Sequence, residues 1–465
     1  MKPLLRDIAL YALRVAEVLG VSYAEVRTQS VTYELIVADN SVLREFSKTF
    51  RMGLGVRVLY NGSFGFSSTN ELNKVSVEEV VNRAVATARV SKRVEGLGER
   101  ELYKGRFTSF FKIKPEDVSD DVKSELTLKV NKAGLSVDGV KSAVTRLGIQ
   151  RDHRFIVTSD GVELEYESSM LGLSHLSIAF ESGSMERVSN QESSMMGWEF
   201  IESKDWEGFA IEVSELARKA VKAPLPPSGK AKVVADPEMV GLILHEAFGH
   251  ASEGDLVASS TSVLKGRLGE AIASPLVTIY DEGMVEGGYF IPFDDEGNLK
   301  RKTVVVENGV LKAFLTNRET AARLNLPVSG NGRAQDFTHM PIVRQTNFYM
   351  APRDWNLDEM LEEVRNGIYL VGKSSMGGQV DTGAGTFTFS AGPSRLIKNG
   401  ELGELVRGVV VSGSILEVLK SVEAVGKDFR IATSVFGGCG KEGQSVRVGD
   451  GGPHMLVKEL IVGGG

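Results

Sequence analysis

The sequence predicts an α+β protein: an N-terminal domain of mixed helix and antiparallel sheet, followed by a strand-rich C-terminal domain that carries a distorted HExxxH helix. Three features predict it. Helical apolar spacing opens the chain, Asn-Gly and Asp-Gly turns separate alternating apolar runs, and a proline-rich break divides the two halves.

Leu4, Leu5, Ile8, Ala12, Val15 and Leu19 recur at helical spacing and are interrupted by Arg6, Asp7, Arg14 and Glu17. This predicts an amphipathic helix rather than a signal-peptide core. Period-two alternation follows at Leu35 and Val37 and again at Val56, Val58 and Tyr60, where Asn61-Gly62 predicts a hairpin into Phe64 and Phe66. Ser76-Val77-Glu78-Glu79 reads as a capping box opening a helix through Val80, Val81, Ala84, Val85 and Ala88. A further helix is predicted from Pro115 to Ala133. Alternation returns at Val140, turns at Asp160-Gly161 and runs through Leu176, Ile178 and Phe180 before a helix from Phe209 to Ala223.

Pro224, Pro226 and Pro227 can neither continue a helix nor donate to a sheet. The expected division is therefore an N-terminal domain over residues 1–222, a linker over 223–230 and a C-terminal domain over 231–465. That domain opens with a strand, Lys232 to Ala235. Asp236 is placed to cap the next helix, with Pro237 at its first position. Asn308-Gly309 and Asn399-Gly400 predict hairpins, and Leu357 to Val364 a helix under Asn356.

Composition narrows the function. The 54 Lys and Arg against 61 Asp and Glu leave a net charge of −7 with no dense basic run, which disfavours direct nucleic-acid binding. A single cysteine, Cys439, excludes an intrachain disulfide and fits a reducing, cytoplasmic setting. No stretch approaches the ~20 uncharged apolar residues of a membrane span, so no membrane partner is expected.

The chemistry lies in Leu244-His245-Glu246-Ala247-Phe248-Gly249-His250, two of the six histidines around a glutamate on the helix that Pro237 opens. Imidazoles are zinc ligands, and the glutamate is positioned to take a proton from an attacking water. Residues five apart lie about 140° apart on a helix of ~3.6 residues per turn. For His245 and His250 to reach one ion, the helix must widen into a π-turn or loosen at Gly249. Thiolate is a preferred third donor. Cys439 is the only thiol, and it sits in the glycine-rich Gly437-Gly438-Cys439-Gly440-Lys441, where Lys441 and a metal would both acidify it.

Five ordered blocks make the chain recognisable: HEAFGHASEGD at 245–255, FDDEG at 293–297, GNGRAQDFTHMPIVRQTN at 330–347, GGQVD at 377–381 and CGKEGQS at 439–445. They resemble the TldD branch of the TldD/PmbA family, densely from about Lys230 onward and more loosely before it. The resemblance implies a zinc metallopeptidase acting on unfolded or leader-bearing peptides. His245, His250 and Cys439 would be the metal ligands and Glu246 the general base. It also implies a dimer, either a homodimer or a heterodimer with a PmbA/TldE-like paralogue that lacks the metal motif. Where the family commonly has a Pro-Arg-Met-Thr-Asn run, this chain has Val343-Arg344-Gln345-Thr346-Asn347.

Glu253 and Asp255 stand where an outer shell could orient the imidazoles. Arg333, His339 and Arg344 are candidates to bind a peptide carbonyl or stabilise an oxyanion. Gly377 to Val380, beside Thr386 to Phe389, is the candidate sheet edge to which an extended peptide could add.

Three rival readings remain. Gly367 to Ser374 matches the P-loop pattern GxxxxGK[ST], but Ile368 to Val371 reads as a strand and Gly377-Gly378 cannot open a helix. Cys439 could be a nucleophile activated by a histidine. The chain could also be a non-catalytic regulatory or binding subunit, against which its complete HExxxH and cysteine argue.

Overall fold

The computed structural model describes residues 2–375 and 377–464. Helix α1, Lys2–Val18, precedes the long strands β1, Tyr23–Asp39, and β2, Val42–Tyr60, and then β3, Ser63–Thr69. Helix α2 spans Lys74–Val90, β4 Lys104–Thr108 and α3 Asp120–Leu135. Strands β5, Val140–Thr158, β6, Glu163–Glu181, and β7, Ser184–Ser194, lead to the single turn α4, Glu199–Glu202, and to α5, Trp206–Ala220.

These strands form one sheet in the order β3-β2-β1-β5-β6-β4, with β7 also paired to β6. Side chains alternate across it, because successive residues of a strand point to opposite faces. On β1, β2 and β5, Ala24, Val26, Leu54, Val56, Val58, Phe155 and Val157 pack with α1 and α2 in one apolar cluster. Further along the same face, Ile36, Leu147 and Ile149 join the cluster that includes Trp206 and Ala210 of α5. The intervening residues Glu25, Arg27, Gln29, Arg57, Asp152 and Arg154 point the other way, into the C-terminal half. There Arg57 bonds Glu296 at 2.6 Å, Arg154 bonds Asp295 at 2.7 Å and the Phe337 N–H donates to Gln29 at 3.1 Å. The close fit leaves no room at Gly55, where a Cβ would lie 2.3 Å from the Phe337 carbonyl oxygen.

Three local expectations are corrected. Asn73, not Ser76, caps α2: its side chain accepts the Ser76 N–H, while the Ser76 hydroxyl donates to Glu71. Pro115 begins only a 3-10 turn over Pro115–Asp117, and α3 starts after Ser119, whose hydroxyl accepts the Val122 N–H. The last helix of this half begins at Trp206, capped by Asp205, and ends at Ala220.

His175 of β6 is fully buried, bonded to Thr145 at 2.8 Å and Ser177 at 3.0 Å. Burial alone pulls its pKa down to about 4. Because the unfolded value is ~6.5, the neutral ring's contribution to stability is complete above that pH and is lost as pH falls toward 4, at most about 3 kcal/mol. Urea unfolding midpoints should therefore fall more steeply between pH 6.5 and 4 in the native protein than in a His175→Gln variant. Parallel profiles would contradict this.

In the C-terminal half, β8, Gly229–Ala235, lies inside a nine-stranded sheet whose end strand is Gly378–Asp381. The expected edge segment thus lies at an edge. A second sheet contains strands Ile279–Glu282, Asn347–Met350, Gly449–Gly452 and Arg430–Ala432. Helix α6, Pro237–Leu242, follows β8; the Asp236 carboxylate accepts the Met239 N–H at 2.7 Å. The turns that continue α6 bury Leu244, Ala247 and Phe248 in the main core of this half, which draws side chains from both sheets. The segment resembling a P-loop is a strand at Gly367–Leu370, and among the described residues directly after it, 371–375 and 377, none is helical. Among the described residues, no helix is long and apolar enough to cross a membrane.

Candidate metal site

Residues Ile243–Gly249 continue α6 as π-helix, and the His250 N–H donates to the His245 carbonyl five residues back. One such turn brings residues five apart onto the same face. The two imidazoles stand with ring centroids 5.2 Å apart and planes at 83°. A 3-10 turn, His250–Ser252, then redirects the chain.

Gln345 braces the widened turn. Its side-chain N–H donates to the His245 carbonyl at 3.1 Å, and its amide lies so close to Gly249 that a Cβ there would be 2.2 Å from Oε1. Glycine is required at 249 for this approach, in ordinary helical geometry (φ −61°).

Cys439 opens the short hairpin Cys439–Lys441 and Gln444–Val446. Its Sγ lies 3.0 Å from His250 Nε2, and one ligand atom each from His245, His250 and Cys439 lie within 4.8 Å of one another. The buried His245 Nδ1 has no hydrogen-bond partner among the described residues. Two imidazoles and a thiolate converging at this spacing fit zinc, which takes nitrogen and sulfur ligands in small tetrahedral sites. Glu246 flanks them, one carboxylate oxygen 3.9 Å from His245 Nε2 and the other 4.0 Å from His250 Nε2, with its side chain 38% exposed.

Charged groups surround the ligands. Glu253, wholly buried, accepts from His250 Nδ1 at 3.0 Å, which leaves Nε2 facing Cys439. Burial would lower the His250 pKa, but Glu253 and Cys439 outweigh it and hold it up near 10. Burial would raise the Cys439 thiol; His245 and His250 together pull it down to about 5. Lys441, expected to acidify that thiol, instead bonds Glu253 at 2.8 Å, Asp255 at 2.6 Å and the Val343 carbonyl at 3.0 Å. Asp255 thus pairs with Lys441 and not with an imidazole.

The arginines expected near substrate bond the backbone of the site's segments, and Arg333 also lines a cavity with Gly437 and Gly438. Arg344 is fully buried and donates to the Cys439 carbonyl at 2.6 Å, and Arg333 donates to the Gln345 carbonyl at 2.6 Å. His339 is tied to Asp336 at 2.8 Å. Two neighbours escaped sequence reasoning. Gln345 lies in the block where the chain departs from the family pattern. Asp450 is a lone acid in a glycine run; burial lifts its pKa to about 6, with His245 opposing and Glu246 and Cys439 adding to the rise. Neither has a spacing relation to the histidines that a sequence scan could detect.

Comparison with known proteins identifies the family. The sequence matches the PmbA/TldA metallopeptidase domain 1 over residues 24–88, the central domain of that family over 113–222 and its C-terminal domain over 228–464. It is 39% identical to a protein named metalloprotease from Methanothermobacter thermautotrophicus, over 96% of both chains. It is 31% identical to a zinc metalloprotease TldD homolog of Saccharolobus solfataricus, covering 97% of this chain and 99% of the relative. The fold is shared with crystalline TldE from Thermococcus kodakarensis, with a TM-score of 0.81 at 18% identity over 98% of this chain and 100% of that one. With matches reaching from residue 24 to residue 464 and near full-length relatives above 30% identity, the chain belongs to the PmbA/TldD family of metallopeptidases.

Proposed function

We propose that the protein is a zinc-dependent peptidase that hydrolyses unfolded or leader-bearing peptides in extended conformation. The observation that carries this reading is the convergence of His245, His250 and Cys439 within 4.8 Å beside the part-exposed carboxylate of Glu246. His245, His250 and Cys439 would hold the ion. Zinc bound there would supply Lewis acidity to the scissile carbonyl and the attacking water.

The remaining steps belong to the chain's own groups. Glu246 accepts the proton that water loses on attack and returns it to the leaving amine, so water adds across the C–N bond with no net proton change. Glu253 keeps the His250 tautomer fixed, and Lys441 neutralises Glu253. Gln345 and Arg344 hold the backbones of the two ligand segments. The edge strand Gly378–Asp381 packs against the π-turn, which supports an extended substrate adding there through main-chain bonds. We place the enzyme in a dimer, with a second copy or with a paralogue related to TldE.

The close Cys439–His250 pair would also suit a cysteine nucleophile. Chelation separates the two. Peptide cleavage should disappear after dialysis against a zinc chelator and return on adding one equivalent of zinc. Activity indifferent to chelation would transfer the chemistry to the thiol.

A further inference from the structure

Between the N-terminal sheet and the C-terminal half lies a cavity of about 1020 Å³, at the upper end of the range that engulfs a drug-sized ligand. Its walls are fixed to each other. The Ser374 hydroxyl donates to the Ser189 carbonyl at 2.6 Å and accepts the Ser189 N–H at 3.1 Å, and Thr433 donates to the Ser193 carbonyl at 3.0 Å. The Lys373-Ser374 pair left unexplained by the rejected P-loop pattern therefore belongs to this wall.

The lining is cationic. Lys204 is paired with Glu192, and Arg430 with Glu238 at 3.2 Å. Arg146, Arg187 and Lys373 also line the space and have no acidic partner within 4 Å among the described residues, and the lining holds no other acid. Arg146 and Arg187, both exposed, and Lys373, half-buried and felt electrostatically by Asp236 and Glu238, leave the half-open cavity net cationic, which favours an anion. Phe436 and Gly437 form part of the same lining, and Gly437 stands two residues before Cys439. Two residues of chain span at most ~7 Å, so the Cys439 backbone lies within that distance of the cavity lining.

We infer that this cavity is a substrate subsite for acidic residues, in which Arg146, Arg187 and Lys373 receive aspartate or glutamate side chains of the peptide a few positions from the cleaved bond. The inference rests on the peptidase reading for what the bound peptide undergoes, but binding tests it separately. The probes are two fluorescent decapeptides, identical except for three Glu or three Lys in the same positions, and a single-stranded oligonucleotide of matching charge. Binding is measured on full-length Glu246→Gln protein, and cleavage on the unaltered enzyme.

The acidic peptide should bind at least tenfold more tightly than the basic one at low salt. That ratio should collapse in Arg187→Glu and in Arg146→Glu, whereas Arg83→Glu on α2, outside the cavity, should leave it intact. Circular dichroism spectra would identify any variant that fails to fold, and the conservative Arg187→Gln should then give an intermediate ratio. Equal binding of the two peptides, an unchanged ratio in the folded cavity variants, or tighter binding of the oligonucleotide would each overturn the inference. Loss of cleavage of every peptide with the binding ratio preserved would instead count against the peptidase reading alone.

Discussion

Replacing Glu246 with glutamine should reduce peptide cleavage by about 10²–10⁴-fold, the usual contribution of a positioned general base, while the protein keeps its fold and its metal. The size follows from geometry. Among the described residues, Glu246 is a carboxylate within 4.0 Å of both imidazoles that keeps 38% of its side chain open to solvent, where a water and a substrate could reach it. Glutamine preserves shape and hydrogen bonding but cannot accept the proton. The check is kcat/KM on an unstructured peptide alongside metal content. Cleavage at native rates in a metal-loaded Glu246→Gln protein would remove the general base from the account.

The second large effect concerns stability. Arg57, 1% exposed, bonds Glu25 of its own sheet and Glu296 of the C-terminal half, both at 2.6 Å and both with fully buried side chains. Removing one member of a buried ionic cluster leaves the others charged and unpaired, at a cost of about 3–5 kcal/mol. Arg57→Ala should thus lower the denaturation midpoint sharply, and should weaken the contact between halves because Arg57 joins Glu25 of the N-terminal sheet to Glu296 of the C-terminal half. A joint replacement with Glu25→Gln and Glu296→Gln, which removes the charges together, should recover most of the loss. A midpoint unmoved by Arg57→Ala would mean that the cluster does not bind the halves together.

Much of this was legible in the sequence because it rests on local rules. Asn-Gly turns stand at 61–62, 308–309 and 399–400 because Asn and Gly tolerate the positive φ that these hairpins need, with Asn61, Asn308 and Asn399 at φ of 51°, 46° and 54°; at Asp160-Gly161 the glycine takes the positive φ. Asp236 and Pro237 begin their helix for equally local reasons. The capping residue of α2 was misread because Asn73 and Ser76 both have capping side chains, and the choice turned on Glu71 claiming the Ser76 hydroxyl. The candidate site divides the same way. His245, Glu246 and His250 declare themselves by type and spacing. The groups that surround them are tertiary: Gln345 is 100 positions from His245, and Lys441 is 188 from Glu253. The charges of β1, β2 and β5 were opaque for a related reason: Glu25, Arg27 and Arg57 alternate as an exposed face would, and they are buried by distant segments folding over them, FDDEG and the 337–339 stretch among them.

Whether one sulfur and two imidazoles meet at a single zinc ion can be read from zinc-edge X-ray absorption of the stoichiometrically loaded protein. The spectrum should show one sulfur at ~2.3 Å and two imidazole nitrogens at ~2.0–2.1 Å, with the sulfur scatterer lost in Cys439→Ala and one imidazole lost in His250→Ala. A spectrum without sulfur, or one unchanged in Cys439→Ala, would contradict that coordination.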